Sequence, residues 1–385
     1  MRKRDFIIFF SIVLSVHSLI NFYIFIRGHE AIMHKPMLRT IFIGVFVFLS
    51  LSYIAGRFLE RVSLSWFSST MVWIGSFWLG AMVYFLLMIL AVDVLRLANS
   101  LISFFPDFIT SDYQRAKEVT AIIASVSVVI IVIAGYMNAR IPRIKTLNLE
   151  ISKNSHAMKE LSIVAVSDIH LGTIICKSRL QRIVKKMNAL DPDLVLLPGD
   201  VVDEDLAPVI KQNLGETLRT IKSRYGVIAV TGNHEYIGGA EAAVRYLTEH
   251  GITVLRDAAM KVNGSMYIVG REDLSANRFG GWQRKSLQEI LNGVDKSFPI
   301  ILMDHQPFGL HEAENNGIDL QFSGHTHHGQ LWPFNYITRK IYEVSWGYKK
   351  KGDTHVYVSC GVGTWGPPLR LGNTPEIVNM KLRFV

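Results

Sequence analysis

The chain has 385 residues, 49% of them hydrophobic, a mean hydropathy of +0.25 and a formal net charge of +9. That length suits two domains of roughly 100–200 residues each, and the apolar excess excludes a chain that is water-soluble throughout. Residues 1–150 carry 14 Lys and Arg against 8 Asp and Glu, and residues 151–385 carry 27 against 24. The positive surplus therefore flanks the apolar runs, where phospholipid head groups lie. A nucleic-acid enzyme would hold it in the catalytic part, so the distribution weighs against such a substrate. Cys176 and Cys360 match no zinc spacing and no disulfide framework, and read as free buried thiols.

Four apolar stretches open the chain. The first, 6–26, lies between Arg2, Lys3, Arg4 and Arg27. It is too long for the apolar core of a signal peptide, and no small-residue cleavage site follows. The others are 41–56, 66–92 and 119–136, the last rich in Ile and Val and followed by Arg140, Arg143 and Lys145. A bilayer needs about 20 apolar residues per helix, so four transmembrane helices are expected. Flanking Lys and Arg number eight on the side of the termini and six on the other, which places the downstream domain in the cytoplasm by the positive-inside rule. Asp93 stands at a span edge and no charge lies deep in a span, which argues against a transporter. Pro142 stops the last membrane helix, so the domains are expected at 1–145 and 146–385.

From Leu161 the pattern changes to short β-branched runs closed by turn signals, the mark of buried strands. Leu161–Ser167 ends at Asp168, Asp193–Leu197 at Gly199-Asp200, and Gly226–Thr231 at Gly232-Asn233-His234-Glu235. Helical stretches, Ser178–Leu190, Leu206–Lys222 and Ala240–Glu249, alternate with them, giving an α/β domain. The later runs Met266–Gly270, Pro299–Met303, Asp319–Phe322, His355–Ser359 and Glu376–Leu382 have fewer helices between them and are expected in a second, mixed sheet facing the first.

Functional groups in α/β sheets gather beyond the carboxyl ends of strands. Five successive strand ends here carry metal-type ligands: Asp168 and His170, Asp200, Asn233 and His234, His305, and His325 and His327. A lone Asp there is more often a helix cap, and a lone His is more often structural; five in succession are not explained that way. Hydrolysis of a phosphate ester needs an activated water and relief of phosphoryl charge, and two metals about 3.5–4 Å apart supply both. A carboxylate suits the shared position, and mixed oxygen and imidazole donors favour Mn, Fe or Zn over Mg or Ca.

Asp168-Ile-His170, Gly199-Asp200, Gly232-Asn-His-Glu235, His305 and Gly324-His-Thr-His327 together resemble the calcineurin-like metallophosphoesterases. The flanks Ser167–Leu171, Asp304–Pro307 and Ser323–Gln330, with the tail Gly361–Thr364 and Pro368–Glu376, are similar to the bacterial membrane-associated branch. The resemblance implies a fold class of N-terminal transmembrane α-helices followed by a two-sheet β-sandwich flanked by helices. It implies that Asp168, His170 and His327 hold a first divalent metal, that Asn233, His305 and His325 hold a second, that Asp200 bridges them, and that His234 is the general acid. His328 is an extra histidine that strand alternation would turn away. Asp203 and Glu235 are either orienting partners or solvated loop residues. Arg370 binds phosphate, or is a surface or ion-paired arginine.

The segment Leu331–Lys351 mixes Trp332, Phe334, Tyr336, Tyr342, Trp346 and Tyr348 with Arg339, Lys340, Lys349, Lys350 and Lys351. It suits a headgroup layer, or else is a hairpin packing its aromatics inward. The expected function is a membrane-anchored dinuclear phosphoesterase acting on a phosphate ester or pyrophosphate of a lipid or lipid-linked substrate. The rivals are a membrane sensor or scaffold built on the same fold, and a nucleotide or cyclic-nucleotide phosphodiesterase.

Overall fold

The computed structural model describes residues 3–153 and 158–385. The chain forms two compact units: residues 1–136 with Gly366–Leu369, and residues 137–365 with 370–385.

The first unit is built from α1 (Lys3–Ala31), α2 (Pro36–Val62) and α3 (Trp66–Ile102), a one-turn α4 (Asp107–Thr110), and α5 (Tyr113–Ala139), whose last residues pass into the second unit. Four helices among the described residues are long and apolar enough to cross a membrane. They extend beyond the apolar stretches because helical hydrogen bonding does not stop at the hydrocarbon boundary; the 37 residues of α3 exceed the about 20 a bilayer core needs. Pro36 opens α2, where its missing N–H costs nothing. Ser65 and Ser68 cap α3 reciprocally. Helices α2 and α3 approach so closely at Gly56 and Gly75 that a Cβ on Gly56 would stand 2.6 Å from Val72 N, and one on Gly75 would overlap the Tyr53 backbone. Asn21 bridges α1 and α3, accepting from Trp78 Nε1 at 2.9 Å. Large apolar side chains such as Leu19, Phe58, Ile122 and Ile130 face outward, the reverse of a soluble bundle.

The second unit is a sandwich of two six-stranded sheets. Its elements in chain order are β1 (Arg143–Ile151), β2 (Glu160–Ala165), α6 (Lys177–Asn188), β3 (Leu194–Pro198), α7 (Ala207–Lys211), α8 (Leu214–Leu218), β4 (Val227–Val230), α9 (Asn233–Gly238), α10 (Ala240–Glu249), β5 (Ile252–Val254), β6 (Ala258–Val262) and β7 (Met266–Gly270). Then come α11 (Leu287–Ile290), β8 (Ile300–Met303), α12 (Leu310–Asn315), β9 (Leu320–Ser323), α13 (Asn335–Ile341), β10 (Gly347–Lys351), β11 (Thr354–Val358) and β12 (Glu376–Phe384). The first sheet has the order β1-β12-β2-β3-β4-β5 and the second β10-β11-β9-β8-β7-β6.

Alternation along the strands builds the layers. In the first sheet Ile163, Ala165, Leu194, Leu196 and Ile228 face Ile268, Ile301, Met303, Leu320 and Phe322 of the second. The intervening Val164, Val195, Leu197 and Ala229 face Leu180, Ile183 and Met187 of α6 and Leu247 of α10. Val269, Ile300 and Leu302 meet Leu287 and Ile290 of α11 on the far side. Each of the valine, leucine, isoleucine, methionine and phenylalanine side chains among these, when fully buried, contributes roughly 1.5–3 kcal/mol.

Two expectations are corrected. Glu376–Leu382 was assigned to the second sheet, yet β12 lies in the first, parallel to β1 over nine residue pairs and antiparallel to β2. Its Val378, Met380, Leu382 and Phe384 need the inter-sheet layer, and that placement satisfies them. The stretch Leu206–Lys222 is two short helices, broken at Asn213, whose φ of 53° cannot continue a right-handed helix.

Candidate metal centre

Each donor sits on a loop leaving a strand, and the loops come from both sheets. Asp168 and His170 follow β2, Asp200 follows β3, and Asn233 and His234 open α9 after β4; His305 follows β8, and His325 and His327 follow β9. The turns are tight. Asp168, His170, Asp200, His325 and His327 all have φ between 45° and 70°, a region that costs non-glycine residues free energy and recurs at functional sites. Loop-to-loop bonds hold them: His170 N donates to Asp200 O at 2.9 Å, Asp168 N to Gly199 O at 3.2 Å, and Gly363 N to Asp168 O at 2.8 Å. Gly324 is required because a Cβ there would lie 2.8 Å from Ser167 Cβ and overlap the Asp168 carboxylate.

The donors converge in two groups, Asp168 with His170 and His327, and Asp200 with His305 and His325, the ligand atoms within each lying within 4.8 Å of one another. His170 Nε2 and His327 Nε2 are 3.0 Å apart, and His327 Nε2 is 3.6 Å from Asp168 Oδ1. In the second group His305 Nε2 is 3.2 Å from Asp200 Oδ2. Asn233 Oδ1 joins it, 3.2 Å from His305 Nε2 and 2.7 Å from His325 Nδ1. Asp200 Oδ2 is also 3.8 Å from His170 Nε2, so this one oxygen faces both groups.

These residues fit divalent cations. Asp168 is fully buried and its Oδ2 has no hydrogen-bond donor, an orphan that costs about 1–3 kcal/mol or more if nothing satisfies it. His305 Nδ1 donates to Pro198 O at 2.8 Å, which turns Nε2 toward the site. Burial opposes a charge there, but Asp200 raises this imidazole well above its ordinary value, so Nε2 must give up a proton to a cation. Burial and the neighbouring His305 lower His325 to about 4. Burial, His170 and Arg370 hold His327 well below its ordinary value, so both are neutral imidazoles, the ligating form. Burial alone would raise the Asp200 carboxyl, but His305, His234 and His170 outweigh it and keep it ionised.

His234 stands beside these groups, Nδ1 3.0 Å from Asp203 Oδ1. Burial opposes its charge, but Asp200 and Asp203 raise it to about 9. Asp203 is therefore an orienting partner and not a solvated loop residue. Glu235 is buried and accepts from the backbone N–H groups of Asp200, Val202 and Gly232, tying two site loops together. His328 turns away to Ser345 Oγ at 3.1 Å and to the Trp346 ring; a left-handed φ of 46°, not strand alternation, does this.

Arg370 is corrected. It is fully buried, neither a surface residue nor open to a phosphate. Its Nε and Nη2 donate to Gly363 O at 3.0 and 2.6 Å, Nη1 to Asn373 Oδ1 at 2.9 Å, and Nη2 lies 3.1 Å from His327 Nδ1. It braces His327 from behind. Cys360 is buried as expected, whereas Cys176 is half-buried; both are free.

Sequence reasoning missed Asp273, which is fully buried and accepts both bonds from Gln306 Nε2 at 2.9 and 3.0 Å, next to His305. It missed Asp304, paired with Arg271 at 3.3 Å and with Arg284. The polar run Arg271-Glu272-Asp273 closing β7 was the available signal. At the rim Trp365 packs edge-on to His234, ring centroids 5.8 Å apart, and Tyr342 to His325 at 6.1 Å, with Phe308 against Tyr342. The segment Leu331–Lys351 is a helix followed by a strand, with Tyr336, Ile337 and Ile341 more than half exposed. Its end, β10, does form a hairpin with β11, but Trp332, Phe334, Trp346 and Tyr348 are exposed and not packed inward.

Residues 161–329 match the model of the calcineurin-like phosphoesterase family. An uncharacterized metallophosphoesterase of Campylobacter jejuni is 30% identical over 98% of this chain and 99% of its own length. The chain belongs to the calcineurin-like metallophosphoesterase family. An uncharacterized metallophosphoesterase of Helicobacter pylori is 35% identical over 63% of this chain and 64% of its own. A Danio rerio transmembrane protein with metallophosphoesterase domain is 32% identical over 68% and 62%. The match thus spans just under two thirds of these two relatives. The 5′-nucleotidase precursor of Thermus thermophilus shares 15% identity over 58% of this chain and 54% of that one, with a TM-score of 0.34. With its four apolar helices, this metallophosphoesterase is a membrane protein whose Asp and His clusters fit a divalent metal site.

Proposed function

We propose that this metallophosphoesterase is a multi-pass membrane enzyme with two divalent ions, hydrolysing a phosphate ester or pyrophosphate of a lipid or lipid-linked substrate at a cytoplasmic site. The observation that carries the hydrolase is the convergence of seven donors around the orphaned Asp168 Oδ2 and the two-sided Asp200. Asp168, His170 and His327 would hold one ion, Asn233, His305 and His325 the other, and Asp200 both. Such ions, Mn, Fe or Zn by their donors, supply Lewis acidity that acidifies water and neutralises phosphoryl charge.

The chain's own residues do the rest. His234, kept protonated by Asp200 and Asp203, gives its proton to the leaving oxygen as water attacks phosphorus and the P–O bond breaks. Asp203 aims that imidazole. Trp365 and Tyr342 wall the reacting groups. A lipid substrate is supported by exposed apolar side chains: Trp365 against His234, Phe308 against Tyr342, and Tyr336, Ile337 and Ile341 on the helix that carries Arg339 and Lys340, as in a headgroup layer.

The test is phosphate release by the full chain in vesicles from phospholipid, lipid-linked pyrophosphate and nucleotide esters, with Mn, Fe, Zn or Mg. Metal-dependent turnover lost in Asp200→Ala and His234→Ala supports the hydrolase. Binding without turnover would favour the sensor, and preference for the nucleotide would sink the lipid reading.

A further inference from the structure

Within the membrane unit, α5 is held to the other helices at its two ends. Near its start Gln114 Nε2 donates to Ala31 O at 3.0 Å and Lys35 pairs with Glu118 at 2.6 Å. Near its end Tyr136 packs against Phe77, centroids 5.2 Å apart. Over its first half, Tyr113 to Ser125, α5 borders a gap to the other helices, and further on Val128 is buried. The gap is a cleft of about 770 Å³, within the range of small-ligand sites, roughly 300–1,000 Å³. Its walls are apolar, among them Phe42, Phe46, Trp78, Phe85 and Ala124. A gap between helices in a bilayer has no water to fill it, so an apolar chain must.

Its charged rim is not self-satisfied. Arg27, Arg96, Arg115 and Lys117 line it with Glu30, Asp93 and Asp112, a surplus of cations. Arg27 pairs with Asp93 at 2.6 Å and Glu30 at 3.4 Å, yet its buried Nε has no acceptor. Arg96 pairs with Asp93 at 3.1 Å and Lys117 with Glu30 at 3.7 Å. The Arg115 guanidinium has no ion pair or hydrogen bond among the described residues, although it lines the cleft and is exposed. An apolar slot ending in spare guanidinium donors matches an acyl chain ending in a phosphate.

We propose that the membrane unit binds one anionic phospholipid, an acyl chain in the cleft beside α5 and its phosphate at the rim between Arg27 and Arg115. Arg115 lies roughly 30 Å along the helix from Tyr136, at 1.5 Å per residue. The bound lipid therefore belongs to the leaflet remote from where α5 leads into the catalytic sequence, and it is not a substrate. This site does not rest on the phosphoesterase reading and survives its failure.

The test is native mass spectrometry of the full chain in mild detergent with added phosphatidylglycerol or phosphatidylcholine. One retained phosphatidylglycerol per chain, in preference to phosphatidylcholine, is expected. Arg115→Glu at the exposed rim should weaken phosphatidylglycerol retention by about tenfold, Ala124→Trp should abolish it by filling the cleft, and Arg182→Glu on an exposed face of α6 should leave it unchanged. Should the tryptophan variant fail to fold, the rim variant decides alone. Equal retention of the two lipids, insensitivity to Arg115→Glu, or a lipid-free dimer would each overturn the site.

Discussion

Asp203 lies 3.0 Å from His234 Nδ1 and, with Asp200, raises that imidazole to about 9. A general acid works protonated, so turnover should fall as pH rises through its pKa. Asp203→Asn removes one of the two anions that raise it, and the alkaline limb of the kcat–pH profile should move to lower pH. An unmoved limb would assign the proton to another group. Arg370 acts on the opposite flank through His327 Nδ1. Arg370→Lys cannot keep the bonds to Gly363, Asn373 and His327 together, and should weaken metal retention by roughly 10–100-fold, the usual loss when a ligand's partner goes; metal content after dialysis reads it. The seven donors were legible because each ends a strand whose β-branched run announces it. Asp203 stood open because its aim depends on a loop path. Arg370 was misassigned because its partner His327 is 43 positions away, a distance no local pattern spans.

The strands show the same division between local and distant causes. Burial on both faces made β2, β3 and β4 readable as strands from their continuous apolar runs. The neighbours of β12 were not, because its own pattern serves either sheet and only pairing with β1, nine residues against nine, selects one. Among the membrane helices, apolar length was plain, whereas the close approach of α2 and α3 rests on two glycines that look unremarkable in sequence. Gly75→Leu would force its side chain into the Tyr53 backbone, so the helical unit should melt at lower temperature in detergent while the sandwich keeps its own transition. A single unchanged profile would show that the two helices do not depend on that contact.

At the scale of the molecule, positive charge gathers around the membrane helices while the phosphoesterase unit remains close to neutral, so salt should affect lipid attachment more than hydrolysis. Divalent cations that bind only the folded sandwich should stabilise it by about 2.7 kcal/mol at a hundredfold excess over the dissociation constant. Its melting temperature should rise with added Mn or Zn and fall with a chelator. Asp168→Asn should blunt that response, and an equal response in the variant would place the cations elsewhere.

The donors are shared between layers: β2, β3 and β4 present four from one sheet, and β8 and β9 present three from the other. A cation held by both sets would be a rivet through this edge of the sandwich, where loops of the two sheets meet. When cations are scarce, the two halves lose that fastening just where the loops already carry left-handed turns. Starvation for metal would then register as a mechanical loosening of the catalytic edge, exposing it to proteases before the rest of the unit unfolds.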